Sequence, residues 1–183
     1  MQDFFEILRH RHSIHRFQQD WPVEREKLMA VLEAACAAPS AGDLQSYRIV
    51  VVEEAALIQR LQGASGGQEA VGTAPLALVF CTNQTRAEKT FGERGRKLFA
   101  LQDATIATAY AQLAASASGL GSLWVGIFEG EAVHAGLKLP HEYEPIAILC
   151  LGYPAERPQL TSRRKLKEMV LYATTDGVGS EAG

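Results

Sequence analysis

The sequence predicts a single domain in which buried strands and helices alternate, of the α+β or α/β layer class. Three apolar runs have the length and the apolar composition of buried strands, at 49–52, 76–81 and 145–152. Apolar residues recur with helical spacing in 23–37, before the first of these runs, and in 103–118, between the second and the third. The 183 residues show neither an internal repeat nor a domain linker, and a chain of this length buries a full core. The pattern leaves the strand order open.

Composition and charge exclude several classes of function. The net charge of −3, from 18 basic and 21 acidic residues, argues against a chain-wide surface for nucleic acid. The first residues lack a basic segment followed by an apolar core, so we expect no secretory signal. Cys36, Cys81 and Cys150 are far apart and lie in apolar runs. This usage is typical of buried thiols in a reduced, cytoplasmic protein and not of disulfides or a zinc site.

The N-terminal segment combines a short helix with a concentrated positive charge. Apolar residues in 4–8 predict an amphipathic helix, and 9–17 follows it as Arg-His-Arg-His-Ser-Ile-His-Arg-Phe. His10, His12 and His15 lack a neighbouring carboxylate or thiolate. We therefore expect no metal site here.

Helices and strands alternate in the next part of the chain. We predict a helix over 23–37, ended by the turn residues 39–43, and then a strand over 45–53 and a helix over 55–61. The glycine-rich turn 63–67 leads to the second buried strand.

The segment 82–99 is the most polar interior part of the sequence, with five basic residues around Phe91 and Phe99. A solvated helix and loop is the default interpretation. A mobile lid over a pocket is the alternative.

The stretch 104–128 contains no charged residue and has two unlike halves. Large apolar side chains follow one face of the predicted helix 103–118, and small residues let another backbone approach its opposite face. Those small residues are Ala107, Ala111 and Ala115. After a pair of glycines, the aromatic and β-branched run 123–128 predicts a strand. The glycines and interspersed polar residues argue against a membrane span.

The last third of the chain contains a predicted short helix at 131–137, the third buried strand and a basic segment at 161–172. The final residues are too polar and glycine-rich to fold alone. We therefore expect one domain over 4–172, followed by a polar tail over 173–183.

The glycines of 119–121 do not form a dinucleotide-binding motif, because they follow a helix and precede a strand. The basic residues favour a different anion site. Arg11 and Ser13, together with Arg163 or Arg164, supply the guanidinium and hydroxyl groups that bind a phosphate monoester. Such a site would bring the two ends of the chain together.

Four motifs together resemble those of the FMN-dependent nitroreductases. Residues 11–17 resemble the family's opening Arg-(Arg/His)-Ser-x-(Arg/Lys)-x-Phe motif, and 38–47 resemble its Ala-Pro-Ser-x-x-Asn-x-Gln-Pro-Trp motif. Residues 119–128 are similar to its Gly-Leu-Gly segment, and 151–154 to the strand end before the terminal arginine. The motifs occur in the family's order, and the resemblance extends over about 4–169.

The resemblance implies α+β subunits with a central mixed, mostly antiparallel sheet flanked by helices, joined as an intertwined homodimer with FMN in the interface. It implies NADH or NADPH as hydride donor in a ping-pong cycle and a nitroaromatic, quinone, enone or similar small acceptor. The alanine-rich helix would lie in the dimer interface. A bulky substitution at Ala111 or Ala115 would therefore abolish both dimer formation and FMN binding.

Two alternatives remain at this stage. The chain could be a specialised member of the same family, such as a dehalogenase, a semialdehyde reductase or an oxidase. It could also be a flavin-binding store or sensor without efficient turnover.

The resemblance also assigns the residues of the cofactor site. By motif position they are Arg11, His12, Ser13, His15, Pro39, Ser40, Asp43, Gln45, Gly126, Ile127 and Arg163. Arg11, Ser13 and Arg163 would hold the phosphate and ribityl chain, and Pro39 and Ser40 would come from the partner subunit. No side chain is assigned as catalytic, because the flavin carries the chemistry.

The resemblance places the backbone N–H groups of Gly126 and Ile127 near flavin N5, where hydride arrives. Two residues depart from the family pattern near the ring. His15 replaces Arg or Lys, so the charge near N1 and O2 would depend on pH or come from Arg16. Asp43 replaces Asn, and a carboxylate facing the ring would oppose the reduced anion. We predict that Asp43 turns away or pairs with a cation.

Overall fold

The computed structural model describes residues 3–158, 161–175 and 177–179. In chain order its helices and strands are α1 (Phe4–His10), α2 (Arg25–Cys36), β1 (Tyr47–Val52), α3 (Ala55–Ala64), α4 (Glu69–Thr73), β2 (Leu76–Asn83), α5 (Gln84–Arg94), α6 (Ala100–Ala117), β3 (Gly121–Val125), α7 (Gly130–Leu137), β4 (Tyr143–Gly152), α8 (Leu166–Met169), β5 (Tyr172–Thr174) and β6 (Gly177–Gly179).

Four strands form the central sheet in the order β1-β2-β4-β3, and each neighbouring pair is antiparallel. A single parallel bridge joins Ser13 to Ser122 of β3. The predicted α+β class, with a mostly antiparallel sheet and flanking helices, is confirmed.

Helices cover both faces of the sheet, which explains why its strands are apolar at nearly every position. Along β2, Leu78 and Phe80 pack with α2 and α6, whereas Val79 and Cys81 pack with α3, α4 and α7. Because successive side chains of a strand point to opposite faces, a strand between two helical layers needs apolar residues in both registers.

The alanine-rich helix α6 is oriented differently from the sequence prediction. Ala107, Ala111 and Ala115 are fully buried inside the subunit, against α2 and the sheet. Their small side chains let α2 and α6 pack closely, and the larger side chains of α6 face outward. Tyr110, for example, is 41% exposed. The prediction that Ala111 and Ala115 act through a dimer contact is therefore wrong.

Three element boundaries differ from the sequence predictions. The strand predicted over 123–128 ends at Val125, because the chain leaves the sheet there and the N–H of Glu129 donates to the carbonyl of Ala64 at 2.8 Å. The segment 63–67 includes the end of α3, and the short helix α4 follows it. The last described residues pair as the exposed hairpin β5–β6, and residues 176 and 180–183 of the predicted tail lie outside the described residues.

An N-terminal strap, residues 13–17, crosses the ends of β3 and β4. Its side chains Ile14 and Phe17 are buried. A Cβ atom on Gly121 would lie 2.8 Å from Ile14 Cγ1, and one on Gly152 would lie 3.1 Å from Phe17 Cδ1. The two glycines thus allow the strap, which begins two residues after Arg11, to lie against the sheet.

We expect Gly152→Ala to lower the free energy of unfolding by about 1–3 kcal/mol, because overpacking strains a filled core. The new Cβ would lie 2.7 Å from Cδ of the rigid Pro75 ring. Gly63→Ala is the matched control, since Gly63 lies in α3 with no atom within 4 Å of a new Cβ. It should raise stability by roughly 0.5–1 kcal/mol. Urea unfolding measures both changes. Equal changes in the free energy of unfolding for the two variants would contradict the close packing of Gly152 against Pro75.

Among the described residues, no helix has the length and apolar character needed to cross a membrane.

Candidate cofactor site

Most of the site residues predicted from the sequence form two groups, one at each end of α6. At its N-terminal end, Asp103 contacts the loop 39–46, which carries the second motif. At its C-terminal end, Ser116 lines a small pocket with Arg11 and His12. The two ends are about 20 Å apart at the 1.5 Å rise of an α-helix. A single subunit therefore does not bring all the predicted residues together.

The first group is cationic and lies where the chain ends meet. Its pocket, about 110 Å³, is lined by Arg11, His12 and Ser122 among others. Burial, and next the nearby positive charge of Arg163, lower the pKa of the Arg11 guanidinium. Arg163 in turn donates to Thr161 Oγ1 at 3.0 Å. Arginines from the two ends of the chain therefore lie near each other, and their role as an anion site remains a prediction.

Ser13 lies beside this pocket at the edge of the sheet. It is exposed, and the parallel bridge to Ser122 fixes its backbone, with the N–H of Ile14 donating to the carbonyl of Ser122 at 3.0 Å. Its hydroxyl is therefore held on a rigid element near Arg11.

His15 and Arg16 are neighbouring residues of the strap and contact different partners. The backbone N–H of His15 donates to Glu156 Oε1 at 2.7 Å, and the imidazole side chain is exposed. Arg16 Nε lies 3.3 Å from Glu69 Oε1 of α4. Arg16 is thus paired in the subunit, and its role as a replacement for the charge at His15 remains a prediction.

The second group is the loop 39–46, which has an unusual backbone. Gly42, Asp43 and Gln45 all have positive φ, at 54°, 56° and 51°. The left-handed conformation costs non-glycine residues about 1–3 kcal/mol each, so other contacts must determine it. Ser40 Oγ accepts from the N–H of Gln45 at 2.9 Å, and the Gln45 side-chain amide donates to the carbonyl of Cys36 at 2.9 Å.

Asp43, the departure from the family motif, is exposed at the tip of this loop. Within the described part of the subunit, no cation lies within ion-pair distance of its carboxylate. The predicted pairing with a cation is therefore absent from the described residues, and the predicted orientation away from the ring remains a prediction.

Segment 82–99 covers this loop from one side. It contains α5, a sharp change of direction at Gly92 and a π-helical turn over Gly95–Phe99. Phe91 packs over Gly42, whose added Cβ would lie 2.8 Å from the ring, and Arg86 Nε donates to the carbonyl of Leu44 at 3.0 Å. Most of α5 is exposed, in agreement with the interpretation as a solvated helix.

A pocket of about 600 Å³ opens between the loop and the first turns of α6. It is lined mainly by apolar groups, including those of Pro39, Phe99, Leu101 and Ile106. An apolar cleft next to a loop rich in polar backbone is typical of a small-molecule site.

Gly126 and Ile127 form a third group, just past the end of β3. Both are exposed, Ile127 at 85%, and the carbonyl of Ile127 accepts from Gln68 Nε2 at 3.3 Å. The edge strand β3 ends at Val125, about 10 Å along the strand from Ser122. Ser13, bridged to Ser122, and these two residues therefore lie at opposite ends of β3.

Two features of the site escape the sequence prediction. One is Asp103, a buried carboxylate that directly precedes the uncharged stretch 104–128. The sequence indicates this residue only as an isolated charge at the start of an otherwise uncharged segment. The other is Tyr153, whose hydroxyl lies 2.5 Å from Lys27 Nζ and 2.6 Å from the carboxylate oxygens of Glu24. The hydrogen bond from Tyr153 lowers the pKa of Glu24. This cluster holds the end of β4, and with it the strap, against α2.

Comparison with known proteins decides the family. A family model described as "Nitroreductase family" matches residues 8–71 and 59–153. The chain belongs to the nitroreductase family. This confirms the resemblance, and the matched ranges include every predicted site residue except Arg163.

Individual known proteins align over most of the chain. A Thermus thermophilus protein named NADH dehydrogenase is 34% identical over 88% of this chain and 92% of its own length. A Bacillus subtilis protein named FMN reductase [NAD(P)H] is 31% identical, over 80% and 64%. The solved structure of the hypothetical oxidoreductase YcnD from Bacillus subtilis superposes with a TM-score of 0.85 at 26% identity, covering 96% and 77%.

Proposed function

We propose that this member of the nitroreductase family is an FMN-dependent oxidoreductase that passes electrons from NADH or NADPH to a nitroaromatic, quinone, enone or similar small acceptor. One observation carries the proposal. Arg11 lines a small pocket and lies close enough to Arg163, from the opposite end of the chain, that their like charges interact. The names of the two relatives, an NADH dehydrogenase and an FMN reductase, support the same chemistry.

The residues of the cationic pocket fit a phosphate monoester. Two guanidinium groups that repel each other become favourable when a dianion lies between them, and planar guanidinium groups bind phosphate oxygens in pairs. Ser13 adds a hydroxyl donor on the rigid sheet edge. When bound, FMN supplies the redox chemistry by accepting an electron pair from the nucleotide and releasing it to the acceptor.

The other groups have separate tasks in this proposal. In this proposal the ring of a phosphate-anchored flavin would extend toward Gly126 and Ile127, which follow the edge strand β3. Their backbone N–H groups would donate to it. The loop 39–46 of the partner subunit would cover the ring and exclude water, since within one subunit that loop lies at the far end of α6.

An exposed apolar face supports a homodimer. Phe4 and Ile7 of α1 lie with Tyr110 and Leu113 of α6 around an apolar groove of about 360 Å³. Contiguous apolar surface on a soluble domain marks an interaction site, and an isologous interface of two identical chains is the commonest way to cover it. We propose that this face joins the two subunits.

The domain limits and the location also belong to this proposal. We propose one domain over 4–172 with a polar tail over 173–183, in the cytoplasm. Burial raises the pKa of both Cys81 and Cys150 to about 12, so these thiols stay protonated and unreactive. Buried, unpaired thiols suit a reducing compartment. The prediction of a buried thiol is wrong for Cys36, which is exposed at the end of α2.

The proposal is tested on the purified protein. We expect a yellow dimer that oxidises NADH or NADPH anaerobically when a quinone is present, with bound flavin bleaching on nucleotide addition. A colourless protein that binds no added FMN would contradict the proposal. A yellow protein that neither nucleotide reduces would favour the alternative of a flavin store or sensor.

We expect Asp43→Asn to leave the flavin reduction potential and the turnover unchanged. Asp43 is exposed at the loop tip, so its carboxylate is free to point into solvent, away from the ring. Titration against redox dyes measures the potential. A higher potential in the variant would show that the carboxylate faces the ring, because removing a nearby negative charge favours the reduced anion.

A further inference from the structure

Asp103 of α6 is a charged side chain in an otherwise apolar layer. It is 1% exposed, and its neighbours on the same face of the helix are buried alanines. Within the described part of the chain no cation pairs with it. A carboxylate buried in this way must be satisfied by hydrogen bonds.

Those hydrogen bonds come from both ends of one loop. The N–H of Ala41 donates to Oδ1 at 2.9 Å, and the N–H of Ser46 donates to Oδ2 at 3.1 Å. Each oxygen of the carboxylate therefore holds one end of the loop 41–46. Between the two anchors lie Gly42, Asp43 and Gln45, all in the left-handed region.

The Ser46 anchor follows from a departure of this chain from the family motif. Ser46 stands where the motif has proline, which has no N–H to donate. The serine adds a buried donor at this position, and Asp103 accepts from it. The Ser46 hydroxyl itself is buried without a partner among the described residues, so the backbone N–H is the group that links Ser46 to the helix.

We propose that Asp103 is a positioning residue that holds the loop 41–46 in the shape with which it covers FMN in the partner subunit. This assignment rests on the proposed function. Asp103 also lines the 600 Å³ pocket with Ser40, so a change in the loop anchor changes the wall of that pocket directly. The rigid helix α6 joins this anchor to the cationic pocket at its other end, where Ser116 lies.

Asp103→Asn tests the anchor with almost no change in volume. An asparagine has only one acceptor oxygen, so its NH₂ group must face the N–H of either Ala41 or Ser46. We expect amide hydrogen exchange at one of these two residues to rise at least about tenfold in the FMN-free protein, measured by NMR. The Kd for FMN should rise about tenfold, as expected when one hydrogen bond to a charged acceptor is lost.

Two further variants separate positioning from general stability. Thr108→Val removes another buried polar contact of α6, the 2.7 Å hydrogen bond from Thr108 Oγ1 to the carbonyl of Ala104. It should leave amide hydrogen exchange at Ala41 and Ser46, and the affinity for FMN, unchanged. Ala41→Pro removes one donor from the loop side without altering the core, at the first residue of a 3₁₀ turn where proline is tolerated. It should weaken FMN binding as Asp103→Asn does, even if the latter folds poorly.

The outcomes distinguish this assignment from the proposed function. If wild-type protein binds FMN and both Asp103→Asn and Ala41→Pro bind it equally well, the Asp103 assignment is overturned. If Thr108→Val weakens binding as much as Asp103→Asn, the effect is one of stability and the assignment also fails. A wild-type protein that binds no FMN overturns the proposed function, whereas the exchange rates of Ala41 and Ser46 still report whether Asp103 anchors the loop.

Discussion

Replacing Arg11 by alanine should weaken FMN binding by about 1.5–3 kcal/mol, or about 10- to 100-fold in Kd, which is typical of a lost hydrogen bond between charged groups. Arg163→Ala should have an effect of the same size. Both side chains would face the phosphate dianion, and burial of Arg11 reduces the screening of its charge by water.

Arg164→Ala is the matched control for this pair. Arg164 follows Arg163 directly, but the charge that acts on Arg11 is that of Arg163. Fluorescence titration of the FMN-free variants measures Kd, and urea unfolding without FMN should show little change, because like charges do not stabilise the empty site. If Arg164→Ala weakens FMN binding more than Arg163→Ala does, the phosphate contact has been assigned to the wrong arginine. Unchanged affinity in both Arg11→Ala and Arg163→Ala would place the anion site elsewhere.

Leu113→Arg should dissociate the dimer and release FMN at the same time. Leu113 lines the exposed apolar groove between α1 and α6. In the proposed interface two guanidinium groups would be buried without partners, and an unpaired buried charge costs about 3–5 kcal/mol. FMN would be lost with the dimer, because the loop 39–46 of the partner completes the site.

Leu57→Arg is the control, since Leu57 is also a half-buried helical leucine but packs on the opposite face of the sheet. It should lower stability without changing the oligomeric state. Analytical ultracentrifugation gives the mass, and absorbance at flavin wavelengths gives the bound FMN. A Leu113→Arg protein that stays dimeric and yellow would show that α6 is not at the interface. A bulky residue at Ala111 should now act differently from the sequence prediction, by overpacking the subunit core.

The sequence predicts most of the fold because the core determines it. Long apolar runs bounded by turn residues identify the strands, and helical spacing identifies α2 and α6. The orientation of α6 was not predictable in the same way. Both of its faces are apolar, and only the packing of α2 against it shows that the small residues point inward and the large ones outward.

The site is predictable only in part, since sequence motifs identify residues but not which subunit they serve. The pairing of Arg11 with Arg163 follows from charge and from the family resemblance. The separation of the cationic pocket from the loop 39–46 depends on the length of α6, and the role of Asp103 depends on two backbone N–H groups that carry no sequence signal.

Mixed dimers test most directly the central claim that each FMN lies between two subunits. Arg11→Ala would remove the phosphate contact, and Ser40→Arg would block the loop that covers the ring. A heterodimer of these two variants, isolated with two affinity tags, contains one intact site if each site combines Arg11 of one subunit with the loop of the other. By two-fold symmetry it should then bind about half as much FMN as wild type, although each variant homodimer binds little. A heterodimer that binds no more FMN than the homodimers would show that each site lies within a single chain.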